Sequence, residues 1–78
     1  MIVNGLEIKV GTIVRFMKHG EEYVGQVDYI QSDFALHGNW GEEVLFPHEE
    51  NFSILRTYDG KLTDAGIAYN RSHPGYTV

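Results

Sequence analysis

The chain has 78 residues, 42% hydrophobic and 13% aromatic, with a formal charge of −5 and no cysteine. At that length it is one domain near the size where a single apolar core suffices, and without thiols neither disulfides nor thiolate zinc sites can support it. Six scattered Lys and Arg against eleven Asp and Glu disfavour a surface that holds nucleic acid mainly by phosphate neutralisation, and no run approaches the roughly 18 to 20 apolar residues of a membrane span.

Asn4-Gly5, between Ile2-Val3 and Leu6-Glu7-Ile8, adopts the positive φ values of a two-residue hairpin turn, so a short opening hairpin is expected. The β-branched run from Ile8 to Phe16 predicts a strand ending in the polar turn Lys18-His19-Gly20-Glu21. A return strand runs from Tyr23 to Ile30. Strict alternation puts Tyr23, Gly25, Val27 and Tyr29 on one face and Val24, Gln26, Asp28 and Ile30 on the other, with apolar residues on both. Gly25 marks a bulge, a sharp bend or a close backbone approach.

Ser32-Asp33 is a turn signal, after which Phe34-Ala35-Leu36-His37 alternates as a half-buried strand does, and Gly38-Asn39-Trp40-Gly41 breaks it. Glu43-Val44-Leu45-Phe46 reads as the next strand, stopped by Pro47, which cannot donate to a ladder. His48-Glu49-Glu50-Asn51 makes a turn, and Phe52-Ser53-Ile54-Leu55-Arg56 completes the set with Phe52 and Ile54 on one face. The fold expected is therefore mainly β, a small barrel of about five antiparallel strands over residues 1–57 with a short N-terminal hairpin.

Residues 58–78 read as a C-terminal extension. Asp59-Gly60 is a turn, Lys61 to Tyr69 has little periodicity of either kind, and a short helix capped by Thr63 fits there. Arg71 to Val78 reads as a loose tail, because Pro74 and Gly75 break regular structure. Its aromatic character allows another arrangement, in which Tyr69 and Tyr76 lay it across the barrel or dock it into another subunit. The start of the chain lacks a basic segment followed by a long apolar one, so a soluble, unprocessed, cytoplasmic protein is expected, and the lack of cysteine fits that compartment.

Val10-Gly11-Thr12-Ile13-Val14, followed by Tyr23-Val24-Gly25-Gln26-Val27 and three further short strands, resembles the SH3-like small barrels, including the KOW and Tudor types. More narrowly, the run from Asn4 to Arg15 is similar to the opening of the YopX-like phage and prophage proteins. Those proceed from Asn-Gly-x-x-Ile-x-x-Gly-Asp-Ile-Val to a Gly-x-Val strand, a Phe-containing strand and a hydrophobic closing strand. The resemblance covers Asn4 to Leu55, with Thr12 standing where that family usually has Asp. It implies an SH3-like barrel and a phage or mobile-element origin, and it carries no catalytic residues over to this chain.

His19, His37, His48 and His73 are the first residues to weigh as metal ligands, and Glu43 or Glu49 would add a carboxylate were His37 and His48 to meet on paired strands. Their spacing fits no helical or knuckle pattern, so turn and surface histidines are the default, and no metal or cofactor is expected. Asp28, Asp33 and Asp64 are candidate acid/base groups, and Ser32, Ser53 and Ser72 candidate nucleophiles. No nucleophile elbow, phosphate-cradling loop or His-x-Glu arrangement accompanies them, and the expectation is a protein without enzymatic activity. The acidic pairs Glu21-Glu22, Glu42-Glu43 and Glu49-Glu50 read as solvated turns that guard short strand edges, with an acidic surface that competes with nucleic acid for a basic protein as the sharper alternative.

Trp40, flanked by Gly38, Asn39 and Gly41, is either a lid folded over the core or a displayed contact residue. In the second case Tyr23, Tyr29 or Phe34 would join it in an aromatic groove for a protein, with Tyr69 and Tyr76 of the extension as further contacts, although Tyr23 and Phe34 are individually core types. The leading expectation is an accessory protein that binds and modulates a host or phage protein. The alternatives are a nucleic-acid-binding barrel that stacks bases while Arg15, Lys18 and Arg56 hold phosphates, and a structural subunit that forms homo-oligomers through a strand edge.

Overall fold

The computed structural model describes residues 1–3, 5–32 and 35–78. Asn4, Asp33 and Phe34 lie outside them, and with them the expected Asn4 turn position, the candidate acid Asp33 and the candidate contact residue Phe34. Among the described residues the protein is mainly β, with two antiparallel sheets and one helix. Strands β1 (Ile2–Val3) and β2 (Leu6–Glu7) form a two-stranded sheet in which Val3 faces Leu6, with Gly5 at φ 80° in their connection. The second sheet contains β3 (Ile13–Lys18), β4 (Glu21–Ser32), β5 (Ala35–Gly38) and β6 (Phe52–Arg56) in the order β5-β4-β3-β6. This sheet is open, since β5 and β6 lie at its two edges and do not pair with each other.

The β3–β4 turn follows its residues: His19 at φ 53° and Gly20 at φ 76° occupy the two left-handed positions of a two-residue hairpin closed by Lys18 and Glu21. The strand expected from Ile8 begins only at Ile13. Between them Lys9 to Thr12 makes a turn in which the Thr12 N–H donates to the Lys9 carbonyl at 3.1 Å and the Thr12 Oγ1 accepts from the Lys9 N–H at 3.2 Å. Gly11 sits there at φ 103°, a backbone setting that side chains resist. This turn carries the chain from one sheet to the other and lets Ile8 plug the core.

Strand β4 runs for 12 residues and is shared, its first half pairing with β3 and its second with β5. The register of β4 against β5 shifts between Val27 and Tyr29, so the expected alternation fails there. Val27 and Ile30 both pack on the core, while Tyr29 is exposed. The extra residue of a bulge turns every later side chain over. Across the sheet, Val14 faces Gly25 and Ile54, and Phe16 faces Tyr23 and Phe52; with Val3, Ile8, Val27, Leu36 and Leu45 these apolar side chains make one core.

The expected strand Glu43–Phe46 reduces to a single bridge, in which Leu45 and Leu36 exchange two N–H···O bonds of 2.9 Å. Neighbouring backbone groups are taken by side chains instead: the Trp40 indole N–H donates to the Glu43 carbonyl at 2.7 Å, and the Lys18 ammonium donates to that of Val44 at 2.7 Å. The Phe46 carbonyl then accepts from the N–H groups of Glu49 and Glu50, closing a turn that Pro47 could not have continued as a strand.

Helix α1 (Asp64–Ser72) starts where expected and runs for nine residues. The Thr63 hydroxyl oxygen accepts from the Gly66 N–H at 3.0 Å and donates to the Ile54 carbonyl at 2.5 Å, so one cap both starts the helix and fastens it to β6. Asp64 in the first turn and Arg71 in the last complement the helix dipole. The last residues fold back onto this unit. The Asn70 carboxamide exchanges two hydrogen bonds with the Val78 backbone, and Arg56 donates to the same Val78 carbonyl at 3.0 Å.

Candidate protein-contact surface

Trp40 sits at the end of the sheet near the β3–β4 turn. Its ring meets the buried Phe16 edge-on at 5.2 Å between centroids and 82° between planes, a favoured aromatic geometry. Tyr23 stacks on the other side of the same cluster, 5.2 Å from Phe16 at 16°. Two glycines make room: side chains at Gly25 or Gly38 would collide with Asn39 and Trp40. The indole is half-buried and anchored through its N–H.

Glu21 and Glu43 lie close to this cluster. The Tyr23 hydroxyl donates to Glu21 at 3.0 Å, and this bond to a charged acceptor, with burial and the charges of Glu21 and Glu43, holds the phenol above its usual value of 10.0. Lys18 reaches Glu50 at 3.1 Å and Glu43 at 3.7 Å and lies over the Phe46 ring at 4.9 Å, while Arg15 pairs with Glu22 at 2.6 Å on the opposite face of the hairpin. Thus Lys18 is already engaged by acidic side chains, and Glu21 adds negative charge beside Tyr23.

The other candidates lie apart from Trp40. Tyr29, 58% exposed, has its ring 5.7 Å from that of His37 beyond the β4 bulge and does not join the Phe16 cluster. Tyr69 stacks on His73 at 4.1 Å on the C-terminal side of α1, and Tyr76 is 77% exposed in the final segment. The expected single aromatic groove therefore divides into a Trp40–Tyr23 cluster and separate tyrosine sites.

Two concavities escaped sequence reasoning because each gathers residues from distant segments. One, of about 400 Å³, lies between the N-terminal hairpin, β6 and the start of α1, and is lined mainly by Val3, Leu6, Phe52, Ile54 and Ala65. The other, of about 300 Å³, lies between α1 and β6 and is lined by Leu55, Ala65 and Ala68 together with the polar Arg15, Ser72 and His73. Ser72 and His73 are turned toward local work: the Ser72 hydroxyl contacts the Ala68 and Tyr69 carbonyls, and His73 Nδ1 lies 3.1 Å from the Tyr69 carbonyl.

The histidines do not assemble. His37 Nε2 meets Gln31 at 2.7 Å, His19 is 4.0 Å from Glu43, and His73 is bound to its own helix. Among the described residues no group of three or more His, Asp or Glu could hold a metal ion, and no helix is long and apolar enough to cross a membrane. The molecule so defined is a small β protein with an aromatic cluster that has Glu21 and Glu43 close by. The chain matches no protein-family model, no curated protein and no solved structure.

Proposed function

We propose that this chain is a small SH3-like β domain that binds another protein and modulates it, through the end of the sheet that carries Trp40. The observation behind this reading is the anchored, half-buried indole: an aromatic side chain held rigid by Phe16, two glycines and the Glu43 carbonyl loses little entropy when a partner covers its remaining exposed surface. Strand β4, which pairs with β3 along one half and β5 along the other, supports the SH3-like description. The resemblance of Asn4 to Leu55 to the YopX-like proteins supports an accessory role in a phage or mobile element, with no enzymatic activity of its own.

Nucleic acid is the second reading, and the geometry gives it less support. Arg15 is bound to Glu22, Lys18 to Glu50, and Arg56 to the Gly60 and Val78 carbonyls, so the three cations that would hold phosphates already have partners. The test is capture from bacterial lysate on the immobilised chain, comparing wild type with Trp40→Ala and with the milder Trp40→Phe, each checked by circular dichroism. Folded Trp40→Ala should weaken capture by more than about 2 kcal/mol. Unchanged capture by folded variants removes Trp40 from the interface, and a strong, salt-sensitive gel shift with nucleic acid would replace the protein-binding reading.

A further inference from the structure

We propose that the outer edge of β4 at Glu22 and Val24, beside Trp40, takes an extended basic segment of the partner protein as an added strand; this rests on the protein-binding reading and names the partner's chemistry. The direction of the backbone carries the argument. The Val27 N–H donates to the Thr12 carbonyl and the Val27 carbonyl accepts from the Gly11 N–H, both at 2.8 Å, so Val27 points toward the β3 side. The Gln26 N–H donates to Asn39 Oδ1 at 2.7 Å and its carbonyl accepts from the Asn39 N–H at 3.1 Å, so Gln26 points the opposite way. Backbone direction alternates along a strand, and no register shift interrupts β3–β4 pairing from Ile13↔Gln26 to Lys18↔Glu21. Glu22 and Val24 therefore share the outward direction of Gln26.

Strand β5 covers β4 only from Val27 onward, where Val27 pairs with Gly38. Among the described residues the N–H and C=O groups of Glu22 and Val24 consequently face outward with no strand paired to them. Asn39 already makes with Gln26 the two bonds that an added strand would continue at Val24 and Glu22. Such an edge is a template for main-chain pairing, in which the hydrogen bonds supply affinity and the flanking side chains select the partner.

Charge selects a basic segment. Glu21 and Glu43 both act on Tyr23 at this end, Glu22 stands on the edge itself in a pair with Arg15, and Lys18 is engaged with Glu50. A second copy of the chain would bring one acidic edge against another, which costs energy at strand-pairing distance. The edge is short and acidic, which holds off neutral and acidic chains and admits a strand whose lysines meet the glutamates.

The probe is a capped Lys-Val-Lys-Val-Lys peptide added to the wild-type protein, followed by amide NMR and hydrogen exchange. The expected result is severalfold slower exchange at the Glu22 and Val24 amides, with the largest shifts there, and no such effect from the same peptide methylated at every backbone nitrogen. Glu22→Lys should weaken the response. Equal shifts with both peptides would reduce the contact to bulk charge and overturn the proposal, as would perturbation elsewhere or none. Concentration-dependent shifts at these amides without peptide would assign the edge to a second copy. Should the peptide fail while capture still depends on Trp40, only the added strand falls and the protein-binding reading stands.

Discussion

Gly38 lies directly beneath the indole of Trp40: a methyl group on Gly38 would sit 2.1 Å from Trp40 Cζ3 and 2.4 Å from Cε3. Gly38→Ala must therefore expel the ring or shift the strand, and overpacking of this kind costs about 1–3 kcal/mol. Trp40 is the single tryptophan, so its emission reports the event directly. The expected outcome is a red-shifted emission maximum and a lower denaturation midpoint; wild-type emission and stability in Gly38→Ala would refute this packing.

Gly66 plays the matching part for α1. A Cβ there would fall 2.0 Å from the Leu55 carbonyl oxygen and 2.9 Å from its carbon, backbone atoms that cannot swing aside. In an exposed helix Gly→Ala stabilises by about 1 kcal/mol. Here the sign should reverse, with Gly66→Ala losing about 1–3 kcal/mol as α1 lifts from β6. Chemical denaturation followed by circular dichroism gives the sign.

Lys18 holds the segment after Trp40 in place. Its ammonium donates to the Val44 carbonyl at 2.7 Å and meets Glu50 at 3.1 Å, with the side chain only 18% exposed. Lys18→Met keeps the packing of the stem but leaves Glu50 and the Val44 carbonyl without this partner, and about 1–3 kcal/mol of stability should be lost. A denaturation midpoint equal to wild type would show that the contact contributes nothing.

Asp59 supplies a pH dependence. A hydrogen bond from the Thr57 hydroxyl is the main cause that holds its carboxyl below the ordinary value of 3.8, helped by Lys61 and opposed by desolvation. Because the folded value is the lower one, the stabilisation is present above the unfolded value and is lost as pH falls through the folded one. In an NMR titration Asp59 should therefore have its midpoint below 3.8, and Thr57→Val should move it upward. A midpoint unchanged by that substitution would remove the Thr57 bond as the cause.

Several elements were legible because their causes are local. The His19-Gly20 turn, the Phe52–Ile54 face of β6 and the Thr63 cap all follow from φ preference, period-2 alternation or hydroxyl capping within a few residues. Gly25 reads as a bulge, a sharp bend or a close approach, and the structure takes the last, with Asn39 and Trp40 against it. At Tyr29 alternation misled, because the extra residue of the bulge between Val27 and Tyr29 leaves no compositional trace. At Glu43 to Phe46 the strand-like composition was overridden by Trp40 and Lys18, which occupy the carbonyls a ladder would need.

Chain-neighbour sterics and apolar periodicity were enough to establish a small, predominantly β molecule, its main hairpin and the start of its helix. They could not say that Trp40 would rest on Gly38 and Phe16 while Tyr29 stood apart, nor that the outward face of Glu22 and Val24 would be left uncovered by β5. Those outcomes depend on register and on contacts between segments far apart in the chain, where a one-residue offset reverses which groups meet the core and which meet solvent.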